Sequence, residues 1–191
     1  MEGFGTIKRL VFPIAVVFIL IGGGCAHRPF PATPADRAYT EGATAMANTD
    51  YEHALEMFAA AWKDSPGHPG VTRDFPAALA GLKNSGDEAF RQGLHEEAGR
   101  RWSSVLRFAS HPAEKGRTLP FAKADIRASI DRASSGLMEK GLVEYRKGNL
   151  ETAIASWKSI LSFDPSHAEA ARSIQTATTQ LENLKKIPPP K

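Results

Sequence analysis

The stretch "GLVEYRKGNLETAIASWKSILSFDP", residues 141–165, carries the strongest helical pattern in this chain. Its second half repeats apolar residues at intervals of three and four, which places them on one face of an α-helix. These residues are Leu150, Ala153, Ile154, Trp157, Ile160 and Leu161. Gly148 marks a turn before this helix, and Pro165 ends it because proline cannot continue a helix. The stretch therefore predicts two helices joined by a short turn.

The same spacing occurs at two earlier places in the chain. A glycine is followed twelve residues later by alanine and four residues later again by an aromatic residue, with a glutamate two residues before the alanine. Glycine and alanine leave room for two antiparallel helices to approach closely, and the aromatic ring fills the space beside them. Each glutamate would meet the positive end of the dipole of the second helix. The three sets are Gly42, Glu52, Ala54 and Phe58; Gly86, Glu96, Ala98 and Trp102; and Gly141, Glu151, Ala153 and Trp157.

These windows resemble the tetratricopeptide repeat, a 34-residue unit of two helices. The resemblance implies an all-α, right-handed stack of helical hairpins, with three irregular repeats at about 35–68, 79–112 and 134–167. Thr49 stands in the first repeat where the family usually has a turn glycine. A helix at about 167–186 is expected to cap the stack, since terminal repeats need a polar outer face. The domain would span 35–187, followed by a proline-rich tail at 188–191.

Insertions separate the repeats, because the corresponding glycines are 44 and 55 residues apart. The first insertion contains "SPGHPG", residues 65–70, a composition typical of a loop. The second contains "HPAEKGRT", residues 111–118, after which a helical pattern runs from Leu119 to Lys147. We expect a kink or break in this long helix at Ser134, Ser135 and Gly136.

The N-terminus is typical of an export signal, with Lys8 and Arg9 before a short apolar run. A transmembrane anchor is the alternative, but the run is shorter than the roughly 20 apolar residues that a spanning helix needs. It ends in three glycines before Cys25 and so resembles a bacterial lipoprotein signal peptide. That resemblance implies cleavage after residue 24, a palmitate-bearing Cys25, and a spacer over 25–34. Because Ala26 and not aspartate follows Cys25, it also implies the periplasmic face of the outer membrane, with the inner membrane or the cell surface as alternatives.

Charge and residue pattern favour a scaffold over an enzyme. The formal charge of +3 is spread among acids, which gives no support to nucleic-acid binding. No catalytic constellation stands out, the register assigns Trp102 and Trp157 to the core, and the histidines lack metal-ligand spacing, so the sequence predicts neither a metal site nor a cofactor. We interpret these histidines as solvated surface or loop residues: His27, His53, His68, His95, His111 and His167. An accessory subunit or cryptic hydrolase of cell-envelope metabolism is the alternative, motivated by the scattered His and Asp.

In the family that the repeats resemble, first helices line a concave face that binds partners. Carrying the register over implies a partner-binding set made of Tyr39, Met46, Lys83, Asp87, Phe90, Arg91, Met138, Leu142, Tyr145, Arg146 and Arg172. Their aromatic and basic groups suit an extended or helical peptide with acidic and apolar residues, while ordinary solvated positions are the alternative interpretation. We therefore predict a lipid-anchored scaffold or adaptor that binds other envelope proteins, including those of an outer-membrane, pilus or secretion complex. No small-molecule substrate is indicated.

Overall fold

Seven α-helices make up the part of the chain that the computed structural model describes, residues 32–116 and 118–186. They are α1 (Pro34–Ala47), α2 (Tyr51–Asp64), α3 (Pro69–Arg91), α4 (His95–Phe108), α5 (Lys123–Arg146), α6 (Leu150–Leu161) and α7 (Ala168–Lys185). A 3₁₀ turn, Pro112–Glu114, lies between α4 and α5, and these described residues contain no strand. The predicted signal peptide, Cys25, the spacer up to residue 31 and the tail at 188–191 lie outside the described residues.

The helices pack mainly against their neighbours along the sequence. Three hairpins result, formed by α1 with α2, α3 with α4, and α5 with α6, and the single helix α7 packs on α6. The prediction of an all-α stack of helical hairpins with a final lone helix is confirmed.

A close glycine–aromatic contact joins the two helices inside each hairpin. A methyl group built on Gly86 would stand 2.7 Å from Nε1 of Trp102, so only a hydrogen fits between the helices at that point. The expected role of glycine in allowing close approach is therefore confirmed at all three positions. The pairs are Gly42–Phe58, Gly86–Trp102 and Gly141–Trp157.

Four further glycine–aromatic contacts, which the sequence analysis did not predict, join one hairpin to the next. Two of them lie on α3, where Gly70 faces the ring of Tyr39 and Gly81 faces the ring of Tyr51. The first hairpin therefore places two tyrosine rings on two glycine surfaces of the second. The other two pairs are Gly99–Phe163 and Gly136–His95.

The repeated glutamates lie in the first turns of α2, α4 and α6, as predicted. Two of them also accept a hydrogen bond from a serine of the next hairpin's second helix. The Oγ of Ser159 donates to Oε2 of Glu96 at 2.7 Å, and Ser104 donates in the same way to Glu52. Both serines stand 18 residues after the glycine of their own repeat, so these hydrogen bonds belong to the repeat pattern.

The turns between paired helices need a residue with positive φ. Gly93 and Gly148 supply it with φ values of 74° and 84°, a conformation that costs glycine nothing. In the first hairpin the equivalent residue is Thr49, with φ of 62°. This conformation is unusual for a β-branched residue, so the first turn is strained.

The insertions lengthen helices more than loops, which corrects the prediction. Pro69 and Gly70 belong to α3 and not to a loop, because proline is well tolerated in the first turn of a helix. The helices α3 and α5 have 23 and 24 residues, against 14 in α1. The long helix α5 begins at Lys123, after a connector that includes Leu119.

The expected break at Ser134–Gly136 was wrong, since α5 continues through these residues. Small residues here serve packing: Ser134 is only 1% exposed, and Gly136 faces the ring of His95 in α4. Leu94, which precedes α4, is 47% exposed and does not join the buried face of that helix.

Among the described residues, no helix has both the length and the apolar character needed to cross a membrane.

Candidate functional site

A groove between α3 and the beginning of α5 is the candidate functional site, and we call it the α3–α5 groove. Its volume is about 660 Å³. Four residues of the predicted partner-binding set line it: Lys83, Asp87, Phe90 and Arg91. The opposite wall and floor come from Trp102, Pro120, Phe121, Asp125, Ile126, Ala128, Ser129 and Arg132.

Asp87 organises the α3 wall of this groove. Its Oδ2 accepts from Nζ of Lys83 at 2.6 Å, and its Oδ1 accepts from Nε1 of Trp102 at 3.1 Å. The ring of Phe90 lies 5.5 Å from that of Trp102, centroid to centroid. Asp87 therefore uses its charge to fix neighbouring groups, and the half-buried Phe90 offers an apolar surface beside them.

The charges on the rim differ in how far they are already neutralised. Lys83 is paired with Asp87, and Arg91 forms an ion pair with Glu88. Arg132 donates from Nη2 to the hydroxyl of Ser129 at 2.8 Å, and within the described part of the chain it has no acidic partner. Arg132 is thus the groove cation whose charge is most available to a ligand.

Sequence reasoning missed Phe121 and Arg132. Both lie in the second insertion, before the window that matches the third repeat, so the register gave them no position. The usable signal was the helical pattern of α5, in which Arg132 stands six residues after the buried Ile126.

A second, smaller groove of about 230 Å³ lies between α5 and α7. Leu142, Tyr145 and Arg172 of the predicted set line it together. The Tyr145 hydroxyl donates to Oε1 of Gln180 at 2.6 Å and so links α5 to α7. Leu142 is 41% exposed and provides the apolar contact surface of this groove.

The remaining predicted residues lie outside both grooves. Met46 and Met138 are half-buried against the core, and Arg146 is exposed in the last turn of α5. Tyr39 packs on Gly70, which makes it part of the joint between the first two hairpins.

Tyr39 also belongs to a hydrogen-bonded cluster. Its hydroxyl donates to Oδ2 of Asp74 at 2.7 Å and accepts from Nη2 of Arg73 at 2.6 Å. Hydrogen bonds from Arg73 lower the pKa of Asp74, and the hydrogen bond to Asp74 raises the pKa of Tyr39. The cluster holds α1 against α3.

Three of the five histidines that the structure describes lie in loops, as interpreted, but all five are half-buried and not fully solvated. His95 packs against Gly136 and the ring of Phe90, and His53 lies 3.3 Å from a carboxylate oxygen of Glu41. The other three, His68, His111 and His167, each precede a helix or the 3₁₀ turn and bond to its backbone. His27 lies outside the described residues.

The described residues contain no group of three or more His, Cys, Asp or Glu side chains placed to hold a metal ion. Comparison of the chain with protein-family models and with curated proteins finds no match. What the chain binds must therefore be inferred from its own grooves and repeat pattern.

Proposed function

We propose that this protein is a lipid-anchored scaffold of the tetratricopeptide type, which holds other envelope proteins at the periplasmic face of the outer membrane. Cys25 would carry the lipid, and the hairpin stack would carry the partner. The repeat pattern supports the family assignment, and the sequence around Cys25 supports the anchor.

The α3–α5 groove is the observation on which the binding role rests. It combines two half-buried phenylalanines, Phe90 and Phe121, with the guanidinium of Arg132. A partner segment that places an apolar side chain against the phenylalanines and an acidic group near Arg132 would match this chemistry, as in other modes of peptide recognition. Assembly of an outer-membrane, pilus or secretion complex is the kind of process such a scaffold would serve.

Site-specific cross-linking in intact cells tests the binding role. A photo-reactive residue at position 121 should give a reproducible protein adduct, and the double substitution Phe90→Ala and Arg132→Glu should abolish it. Leu184, which is 50% exposed on α7, supplies the matched control: a photo-reactive residue there should not give the same adduct. Equal labelling at both positions, or an adduct that survives the double substitution, would refute the groove as the binding site.

The lipid anchor is tested separately. Cys25→Ser should abolish palmitate labelling and leave the protein in the soluble periplasm or as an uncleaved precursor. If the substituted protein still fractionates as a processed outer-membrane species, the anchor is not at Cys25.

A further inference from the structure

Three connections in the stack end in a histidine that caps the next element. His68 precedes α3, His111 precedes the 3₁₀ turn, and His167 precedes α7. They follow the glycines of their repeats by 25 or 26 residues, so they occupy corresponding positions. In each case the ring Nδ1 accepts a backbone N–H, from Val71 at 3.3 Å, Ala113 at 3.2 Å and Ala170 at 3.1 Å.

This hydrogen bond exists only while the ring is neutral. An Nδ1 that accepts carries no hydrogen, so the proton of the neutral ring is assigned to Nε2. Further protonation must occur at Nδ1, and it turns the acceptor into a donor that faces another donor. Where the capped element is an α-helix, protonation also places a positive charge at the positive end of the helix dipole.

The three rings have different surroundings. The Nε2 of His68 lies 3.4 Å from Oδ1 of Asp36 in α1, and its ring lies 5.0 Å from that of Tyr39. With Nδ1 as the acceptor, Nε2 is the donor to that carboxylate, so the ring of His68 is held by α1 as well as by the cap. The ring of His167 accepts from Ala170, and the nearest acids along the chain are Asp164 and Glu169.

The ring of His111 has aromatic neighbours instead. The ring of Phe75 in α3 stacks on it at 5.1 Å and 18°, and the ring of Trp62 in α2 meets it edge-on at 6.4 Å. Burial lowers the pKa of His111. Glu114 is the acid of the same 3₁₀ turn, and Lys115 directly follows it. The cations farther along the chain, Arg107 and Lys123, contact Glu52 and Ser110.

We propose that His111 is an acid-sensitive joint between the second and third hairpins. In its neutral form it caps the 3₁₀ turn and fixes the start of the connector, whose described residues are 109–116 and 118–122 and which reaches the α3–α5 groove at Pro120 and Phe121. Protonation removes the cap and charges a half-buried ring, so the connector loosens in acid. The inference concerns the connector itself and does not depend on what the groove binds.

The direction of the pH effect follows from linkage. A histidine whose pKa is lower in the folded than in the unfolded state stabilises the folded state above the unfolded value, about 6.5. That stabilisation is lost as the pH falls below that value, because the unfolded chain then takes up the proton first. The folded state should therefore be less stable in mildly acidic than in neutral solution.

Hydrogen exchange on the full-length protein tests the joint at about pH 7.5 and about pH 5.5, the range in which histidine titrates. Corrected for the intrinsic exchange rate, the protection of the Ala113 amide should fall severalfold at the lower pH. The variant His111→Asn keeps a side-chain acceptor at the cap but cannot titrate, so it should lose much less protection. His53→Asn is the matched control, since His53 is half-buried but caps nothing, and it should behave like the unaltered protein.

Two results would overturn the proposal: unchanged protection of Ala113 in the unaltered protein, or an equal loss in His111→Asn. If His111→Asn does not fold, the chemical shifts of the two ring nitrogens of His111 in the unaltered protein test the proposal instead. A neutral ring with its proton on Nε2 and a titration midpoint below that of the unfolded chain would support the proposal. A proton on Nδ1 at neutral pH would contradict it.

Discussion

Replacing Thr49 by glycine should stabilise the protein, because Thr49 holds a left-handed conformation that its side chain disfavours. That conformation costs an L-residue roughly 1–2 kcal/mol, whereas glycine adopts it freely. This gain is partly offset, by about 0.4–1 kcal/mol, because glycine gives the unfolded chain greater conformational freedom. Thr49 is exposed and no hydrogen bond of its side chain would be lost. The net gain in the free energy of unfolding should be about 1 kcal/mol, the difference between those two ranges.

Thermal unfolding followed by circular dichroism measures this gain. For a domain of this size, 1 kcal/mol corresponds to about 2–4 °C in Tm. Gly148 provides the reciprocal variant, because it has φ of 84° and nothing lies within 4 Å of where its Cβ would stand. Gly148→Thr should therefore lower Tm by a similar amount through backbone strain alone. An unchanged Tm in Gly148→Thr, together with no gain in Thr49→Gly, would refute the reasoning from φ.

Three further variants test the packing between helices. Gly86→Ala should lower the free energy of unfolding by about 1–3 kcal/mol through overpacking, since the methyl group would meet the indole of Trp102. In urea unfolding, the double variant Gly86→Ala and Trp102→Phe should lose less than the sum of the losses in the two single variants. Ser159→Ala should cost about 1 kcal/mol by removing the hydrogen bond to Glu96, whereas Ser135→Ala, at an exposed position of α5, should cost nothing by the same assay. Asp74→Asn should flatten the loss of stability below about pH 4, because a carboxyl with a lowered pKa stabilises the fold above its unfolded value and loses that effect as the pH falls through its folded value. A fall as steep as that of the unaltered protein would contradict the last expectation.

The sequence predicted the contacts inside each hairpin but not those between hairpins. Inside a hairpin the partners are close along the chain, and one spacing repeats three times, so the pairing of Gly86 with Trp102 was visible in the residues alone. Between hairpins the partners come from distant segments. Gly81 meets Tyr51 and Gly99 meets Phe163 without any shared spacing that would mark them in advance.

The histidine caps show a different reason for failure. Composition suggested solvated side chains in "SPGHPG" and "HPAEKGRT", because both stretches are rich in loop residues. The loops are real at Ser65–His68 and around His111, but each histidine ends its loop by bonding to the next element. Histidine is not among the preferred capping residues, so propensity alone could not assign that role.

The candidate site arises from the insertion that the repeat pattern treats as extra sequence. The second helices stay short, with 14, 14 and 12 residues, and the serine–glutamate hydrogen bonds join them in register. The helix α3 is the first of the second hairpin, and at about 1.5 Å per residue it is longer than its partner α4 by about 14 Å. This extension buries Val71 and Phe75, which pack in the core.

The extension of α5 does the same with Ile126 and Ile130, and it brings Arg132 to the α3–α5 groove together with Phe121 of the connector. A regular stack would lack both residues, since neither has a position in the repeat. Removing the connector and the first turns of α5 should therefore abolish the groove while leaving the glycine–aromatic contacts within each hairpin intact. Partner recognition in this protein would then depend on the segment in which it departs most from its own repeat.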